Sequence, residues 1–269
     1  MLTVKHDLRE GGRYVGDVKL LPLADFHIGD PHADIKLVKR LIKQVEETPH
    51  MYTVLNGDLM NTAIATSVSD TYEETLSPKE QLQRCVDYFG DLARMGKILG
   101  VTGGNHERRI SRSVGVDMTE LMCAQLGLDE LYSPGDIILF LSVGANKSNT
   151  KRKGKSHRPF YYSALARHGA GGGALKGGKV NRLQRFSDVA DCDLYIGSHT
   201  HDDMIFHDSY YRTDRQHGTV ALCDRTYVNT PAALTYGGYG EIGGYRPQSK
   251  YHWPVITLHG SEHLITVES

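Results

Sequence analysis

Asp25, His27, Asp58, Asn105, His168, His199 and His201 are the residues whose types and spacing could do chemistry together. Each follows an apolar run. Asp25-Phe26-His27 comes after "VKLLPLA", Gly57-Asp58 after "MYTVLN", and Gly104-Asn105-His106-Glu107 after "KILGVT"; His168 closes "ARH", and His199-Thr200-His201 lies in "GSHTH". The set offers oxygen and nitrogen donors and no sulfur. That suits a borderline divalent ion such as Mn²⁺, Zn²⁺ or Fe, and disfavours Mg²⁺ or Ca²⁺, which prefer oxygen alone. Seven donors exceed one tetrahedral centre and suit two ions sharing a carboxylate. Two ions ~3.5–4 Å apart can clamp the attacking and leaving oxygens of an in-line displacement at phosphorus.

The pieces differ in weight. With 20 Asp and 14 His in 269 residues, Asp-x-His arises about once by chance and His-x-His about 0.7 times. A second Asp-x-His, Asp30-Pro31-His32, sits mid-loop and is set aside as a decoy. Gly-Asn-His is rarer, at about 0.04 occurrences. The signal is the ordered series, each member behind a strand. His6, His32, His50, His207, His217, His252, His259 and His263 match none of it and are read as surface or core histidines.

The positioning elements are legible as an alternation. Strands are expected over 18–25, 51–58 and at "KILGVTG", with helices at "ADIKLVKRLIKQVEE", "SPKEQLQRCVDYFGDLARM" and "DMTELMCAQLGL". Asp34 is a candidate N-cap, and Ser77 with Pro78 and Glu80 forms a capping box. Strand–helix–strand order argues for parallel pairing. In open α/β sheets, ligands bind beyond the carboxyl ends of the strands, where these residues fall. From "DIILFLSVG" onward the chain reads mostly as strands, with one helix at "KVNRLQRFSDVA". The expectation is one α/β domain over 1–269, a metal-site core at about 18–201, and C-terminal strands from 202 to 269 completing the second sheet.

Composition excludes more than it selects. Net charge is −1, so a phosphate-bearing partner must be held by local charge. Cys85, Cys123, Cys192 and Cys223 form no Cys-x-x-Cys pair, which rules out zinc ribbons and suggests reduced thiols. The N-terminus is polar and "IILFLSVGA" is too short to span a bilayer. A cytoplasmic protein without a membrane partner is expected. The basic run 146–158 reads as a solvated hairpin tip or a nucleic-acid arm. The glycines at 169–173 suit either close approach of a phosphate or a flexible connection. Tyr236, Tyr239, Tyr245 and Trp253 are read as packing rather than base-stacking residues.

The series D-x-H, G-D, G-N-H-E, H and H-x-H resembles the calcineurin-like metallophosphoesterases. The resemblance implies a four-layer α/β/β/α sandwich of two mixed sheets around a two-metal centre, with Mn²⁺ favoured over Zn²⁺ or Fe. It implies Asp25, His27 and His201 on one ion, Asn105, His168 and His199 on the other, and Asp58 bridging. It gives His106 the role of general acid, with a water shared by the ions attacking phosphorus. Asn61 stands where the family often carries Asp or His, and joins His106, Asp58 and Arg108 as a catalytic candidate. Arg108, Arg109 and Lys176 are the candidate substrate cations. "DFHIGD" and "GDLMN" resemble the nuclease branch that includes SbcCD-type enzymes, and the tail from Thr226 resembles bacteriophage-borne members. The expected activity is therefore a phosphodiesterase on DNA, RNA or a nucleotide, with homodimer formation an added expectation. The rivals are a phosphomonoesterase of small molecules or phosphoproteins and a non-catalytic scaffold.

Overall fold

The chain enters through β1 (Leu2–Asp7), where half-buried and exposed residues alternate, and a small hairpin, β2 (Arg9–Glu10) with β3 (Arg13–Tyr14). The computed structural model describes residues 1–64, 67, 71–146, 158–173, 175–238, 241, 247 and 252–269. Residues 147–157 of the basic run, with Tyr239 and Tyr245, lie outside the described residues.

β4 (Val18–Leu20), β5 (Met51–Asn56) and β6 (Ile98–Thr102) then run parallel. Regular pairing of the first run stops at Leu20 rather than at Asp25, because Pro22 has no N–H to give. Its alternate neighbours keep the ladder to β5: Leu21 and Leu23 donate to the carbonyls of Tyr52 and Val54, and Asp25 to that of Gly57. Helix α1 (Ile35–Glu47) crosses from β4 to β5, capped by Asp34, whose side chain accepts from the Leu37 amide. Helix α2 (Pro78–Arg94) crosses from β5 to β6 behind the expected Ser77–Glu80 capping box. Two helices, α3 (Glu107–Val114) and α4 (Met118–Leu126), lead to β7 (Tyr132–Ser133). Only α4 is legible beforehand. "ERRISRSV" buries Glu107 alone, so it shows no apolar stripe.

The rest supplies β8 (Ile137–Asn146), β9 (Arg158–Ala166), α5 (Lys176–Gln184), β10 (Leu194–Gly197), β11 (Met204–Asp214), β12 (Thr219–Asn229), β13 (Val255–Leu258) and β14 (Ile265–Glu268). One sheet has the order β14-β13-β4-β5-β6-β7 and the second β1-β8-β9-β10-β12-β11. The strands after 202 are thus divided between the sheets. β11 and β12 join the second as expected, but β13 and β14 extend the first beside β4. The cause is an open edge on β4 and an anchor ahead of β13, where the Trp253 indole donates to the Pro22 carbonyl at 2.6 Å.

Four layers result. Leu37, Val38, Leu41, Cys85, Phe89 and Met122 from α1, α2 and α4 cover the outer face of the first sheet. Leu20, Val54 and Leu99 meet Leu139, Leu141, Tyr162, Ile196 and Val228 between the sheets. Leu183 of α5 and Phe186 pack on Leu165, Tyr195 and Tyr227 outside the second. No helix among the described residues is long and apolar enough to cross a membrane.

The caps carry a measurable share of local stability. Ser77→Ala removes the side chain that accepts from the Glu80 amide. It is expected to lower the unfolding free energy by ~1 kcal/mol in urea titration with the α/β circular dichroism signal intact.

Candidate metal centre

Strand ends from both sheets converge at one rim of the sandwich, and the backbone there is strained. Asp25, His27, Asp58, His199 and His201 have φ of 52°, 45°, 50°, 66° and 58°. Among the described non-glycine residues, only His50 and Thr62 share that region. Each such conformation costs ~1–3 kcal/mol and persists only where its surroundings enforce it. Gly104 shows the enforcement. A Cβ there would stand 2.1 Å from the Asp58 amide nitrogen and 2.2 Å from Asp58 Oδ1. Glu107, buried in the first turn of α3, accepts the Asp58 amide at 3.2 Å and the Met60 amide at 2.9 Å. Glu107 thus braces the loop that carries Asp58. Burial and the nearby Asp58 push its carboxyl up to about 7.

Two groups of lone pairs form. In one, Asp25 Oδ2 accepts the His199 amide at 3.0 Å, while Oδ1 is buried and accepts no hydrogen bond. His201 Nε2 is 3.4 Å and His27 Nε2 3.9 Å from that oxygen, and the two ring nitrogens are 3.1 Å apart. In the other, His168 Nδ1 donates to the Asn56 carbonyl at 2.7 Å, which leaves Nε2 facing inward to hold either a proton or a cation. It meets Asp58 Oδ2 and Asn105 Oδ1, each at 3.1 Å. His199 completes this group, since its ring, Asp58 and His168 present atoms within 4.8 Å of one another.

The protein alone must find a proton for such a place. Burial disfavours charge on His168, yet the Asp58 carboxylate outweighs it and holds the imidazole up at about 10. Asp58 is driven well below the carboxylate range, its burial overcome by His168 and His106. His27 is driven well below its usual value by burial and by the neighbouring His106. A divalent cation satisfies the same lone pairs without a proton, and the donor set fits one.

The remaining candidates separate. His106 Nδ1 lies 2.9 Å from Asn61 Oδ1 and 3.0 Å from the Asn61 carbonyl, so it donates to both. Arg109 Nη2 donates to His106 Nε2 at 3.0 Å, and that nitrogen is 3.8 Å from Asp58 Oδ2. His106 also falls within ligand reach of His27 and Asp58. Burial outweighs Asp58, Arg109 adds to it, and the His106 imidazole drops to about 4. The ring is therefore neutral at pH 7 in the metal-free chain. Arg108 instead donates to the Pro134 carbonyl at 2.5 Å, and Lys176 pairs with Asp203 at 3.5 Å.

Lys179 was missed. It is 8% exposed, donates to the Thr200 carbonyl at 3.0 Å and pairs with Asp202, so it pins the turn between His199 and His201. Its one signal was its position on the same helical turn as Lys176. Ser198, within "GSHTH", accepts from Asn56 Nδ2 at 2.7 Å and from the Thr230 hydroxyl at 3.0 Å. The decoy His32 lies against Gly237 and Gly238 and joins no metal-capable group among the described residues.

Residues 26–203, more than half of the chain, match the family described as calcineurin-like phosphoesterase. A predicted phosphoesterase from Streptococcus pneumoniae TIGR4 is similar at 10% identity and TM-score 0.37, over 95% of this chain and 91% of that one. A metallophosphoesterase from Sphaerobacter thermophilus is similar at 12% identity and TM-score 0.41, over 93% of this chain and 87% of that one. At such scores neither speaks to substrate. No curated protein matches. Family and clusters together suggest a dinuclear divalent-metal site.

Proton release tests the second group. His168 is protonated below about 10 in the metal-free chain, and a cation needs its lone pair. Metal binding at pH 7 is therefore expected to release a proton, and affinity to fall by up to tenfold per unit of falling pH from that group. Calorimetry in buffers of different ionisation enthalpy measures it; release of no proton would remove His168 from the ligand set.

Proposed function

Because the chain belongs to the calcineurin-like phosphoesterase family, a family of metal-dependent phosphoester hydrolases, we propose that it cleaves a phosphodiester in DNA, RNA or a nucleotide. One observation carries the reading. His168 Nε2 lies 3.1 Å from both Asp58 Oδ2 and Asn105 Oδ1, and a buried Asp25 oxygen at the same rim accepts no hydrogen bond. In this reading Asp25, His27 and His201 would hold one ion, Asn105, His168 and His199 would hold another, and Asp58 would serve both. Mixed imidazole, amide and carboxylate donors favour Mn²⁺, ahead of Zn²⁺ or Fe. When bound, two such ions would supply Lewis acidity, lowering the pKa of water and offsetting charge at phosphorus.

The chain's own groups do the rest. Arg109 donates to a phosphate oxygen, and leaving His106 Nε2 for that oxygen removes a cation's hydrogen bond from the ring. The substrate's negative charge then favours protonation of Nε2 by solvent, and Nε2 hands that proton to the departing oxygen as its bond to phosphorus breaks. Asn61 keeps Nδ1 engaged throughout. Limited positive charge supports a diester. Arg108 is committed to the Pro134 carbonyl and Lys176 to Asp203, while Arg109 stands at His106. A diester brings one negative charge, whereas a monoester brings nearly two at neutral pH. The free thiols of Cys85, Cys123, Cys192 and Cys223 support a cytoplasmic location. A homodimer belongs to the same proposal.

Hydrolysis of bis(p-nitrophenyl) phosphate and p-nitrophenyl phosphate, side by side with Mn²⁺ and with chelator, tests the reading. Faster diester hydrolysis, abolished by chelator, is expected; faster monoester hydrolysis would make the protein a phosphatase. His106→Ala is expected to retain its metal by elemental analysis and to lose 10²–10⁴-fold in kcat, or ~3–5 kcal/mol. A large fall in bound metal would instead make His106 a ligand.

A further inference from the structure

The hydrogen bonds behind His106 end on a carboxylate, Glu74. Asn61 Nδ2 donates to Glu74 Oε1, which also accepts the Ala63 amide at 3.3 Å, and Glu74 Oε2 accepts from Gln81 Nε2. Gln81 is buried and cannot turn freely. Its Oε1 accepts the Thr62 amide at 2.9 Å and its Nε2 donates to the Leu76 carbonyl at 2.8 Å. The Glu74 segment is tied down next door, where the Thr75 amide and hydroxyl donate to the Gly29 carbonyl at 2.8 and 3.0 Å. Glu74 thus sits on a backbone held by the loop that follows His27.

The direction of each link follows from chemistry. An ionised carboxylate only accepts, so the Asn61 amide must turn its NH₂ toward Glu74 and its oxygen toward His106. The opposite orientation would set Asn61 Oδ1 against Glu74 Oε1 and the NH₂ against His106 Nδ1. With Oδ1 at 2.9 Å and the Asn61 carbonyl at 3.0 Å, Nδ1 keeps the proton. Nε2 is then the atom that faces Arg109 and Asp58.

We propose that Glu74 is a positioning residue for the phosphoester reaction. Acting through Asn61, it decides which nitrogen of His106 holds the resting proton and which one faces the phosphate. The inference rests on the reading of His106 as proton donor. Glu74 supplies at one remove what a carboxylate at position 61 would supply directly.

The test combines a spectroscopic readout with kinetics. [¹⁵N]histidine-labelled, Zn²⁺-loaded protein gives ring ¹⁵N–¹H correlations, and His106→Ala assigns the His106 signals. Wild type is expected to show protonated Nδ1 at His106, and Glu74→Ala a shift toward the Nε2–H form. The same variant is expected to lose 10–100-fold in kcat on bis(p-nitrophenyl) phosphate, with KM and bound metal unchanged. Asn61→Asp alone sets two carboxylates in contact and is expected to be impaired. Asn61→Asp with Glu74→Gln, which exchanges the carboxylate and the amide, is expected to recover both the ring signal and kcat. Glu74→Ala with an unaltered ring signal and kcat within twofold of wild type overturns the proposal. Should Glu74→Ala fail to fold, a double variant no better than Asn61→Asp in either readout overturns it. If wild type hydrolyses neither ester, the catalytic reading fails, while the ring signal still decides whether Glu74 sets the tautomer.

Discussion

Lone pairs that face one another inside a protein need a cation or a proton between them, and the rim of this sandwich is built around that constraint. Asp25 Oδ1 is buried and accepts no hydrogen bond, and His168 Nε2 looks at two oxygens. An unsatisfied buried acceptor costs ~1–3 kcal/mol, more when charged. The left-handed backbone at five of the seven residues adds its own cost. The chain tolerates both because rigid elements hold the atoms in place. Glu107 braces Asp58, Lys179 braces the turn between His199 and His201, and Gly104 leaves room for Asp58 and Glu107.

The two sheets must also be locked to each other, since Asp25, Asp58 and Asn105 come from one and His168, His199 and His201 from the second. Apolar packing between the sheets sets their separation, but slides easily along the strands. Asn56 supplies direction. Its Oδ1 accepts from the Thr102 hydroxyl at 2.8 Å, its Nδ2 donates to the Arg167 carbonyl at 3.1 Å and to Ser198 at 2.7 Å, and its carbonyl accepts from His168 at 2.7 Å. A single buried amide thereby joins β5 and β6 to the ends of β9 and β10. Fully satisfied polar groups of this kind are stiff, because any slip leaves donors unpaired.

Much of this was legible from sequence for a physical reason: a strand's end is marked locally. Apolar runs stop where Asp25, Asp58, Asn105 and His199 begin, and helix caps at Asp34 and Ser77 are written within four residues. What escaped depends on partners far away in the chain. Arg108 and Arg109 are neighbours in sequence, but helical geometry sends one to Pro134 and the other to His106. Lys176 and Lys179 divide likewise between Asp203 and the Thr200 carbonyl. Short β13 carries no mark of which sheet it will join, since its register is set by Trp253 reaching Pro22. Periodicity reports a face and says nothing of what covers it.

The amide at position 61 limits negative charge beside Asp58 in the metal-free chain. Asp58 lies one imidazole ring away, and Glu107 is buried beside it. Two unit charges 4 Å apart repel by ~4 kcal/mol at an effective dielectric of 20, and by about half that at twice the distance. A carboxylate at 61 would add to that repulsion where burial screens it least. At 74 the negative charge lies further out, half-buried and ringed by Asn61, Ala63 and Gln81 donors, while the neutral amide still presents an acceptor to His106. The orientation of the ring is kept and the repulsion is reduced. An Asn at this position is therefore compatible with an active proton donor, provided the carboxylate behind it stays in place.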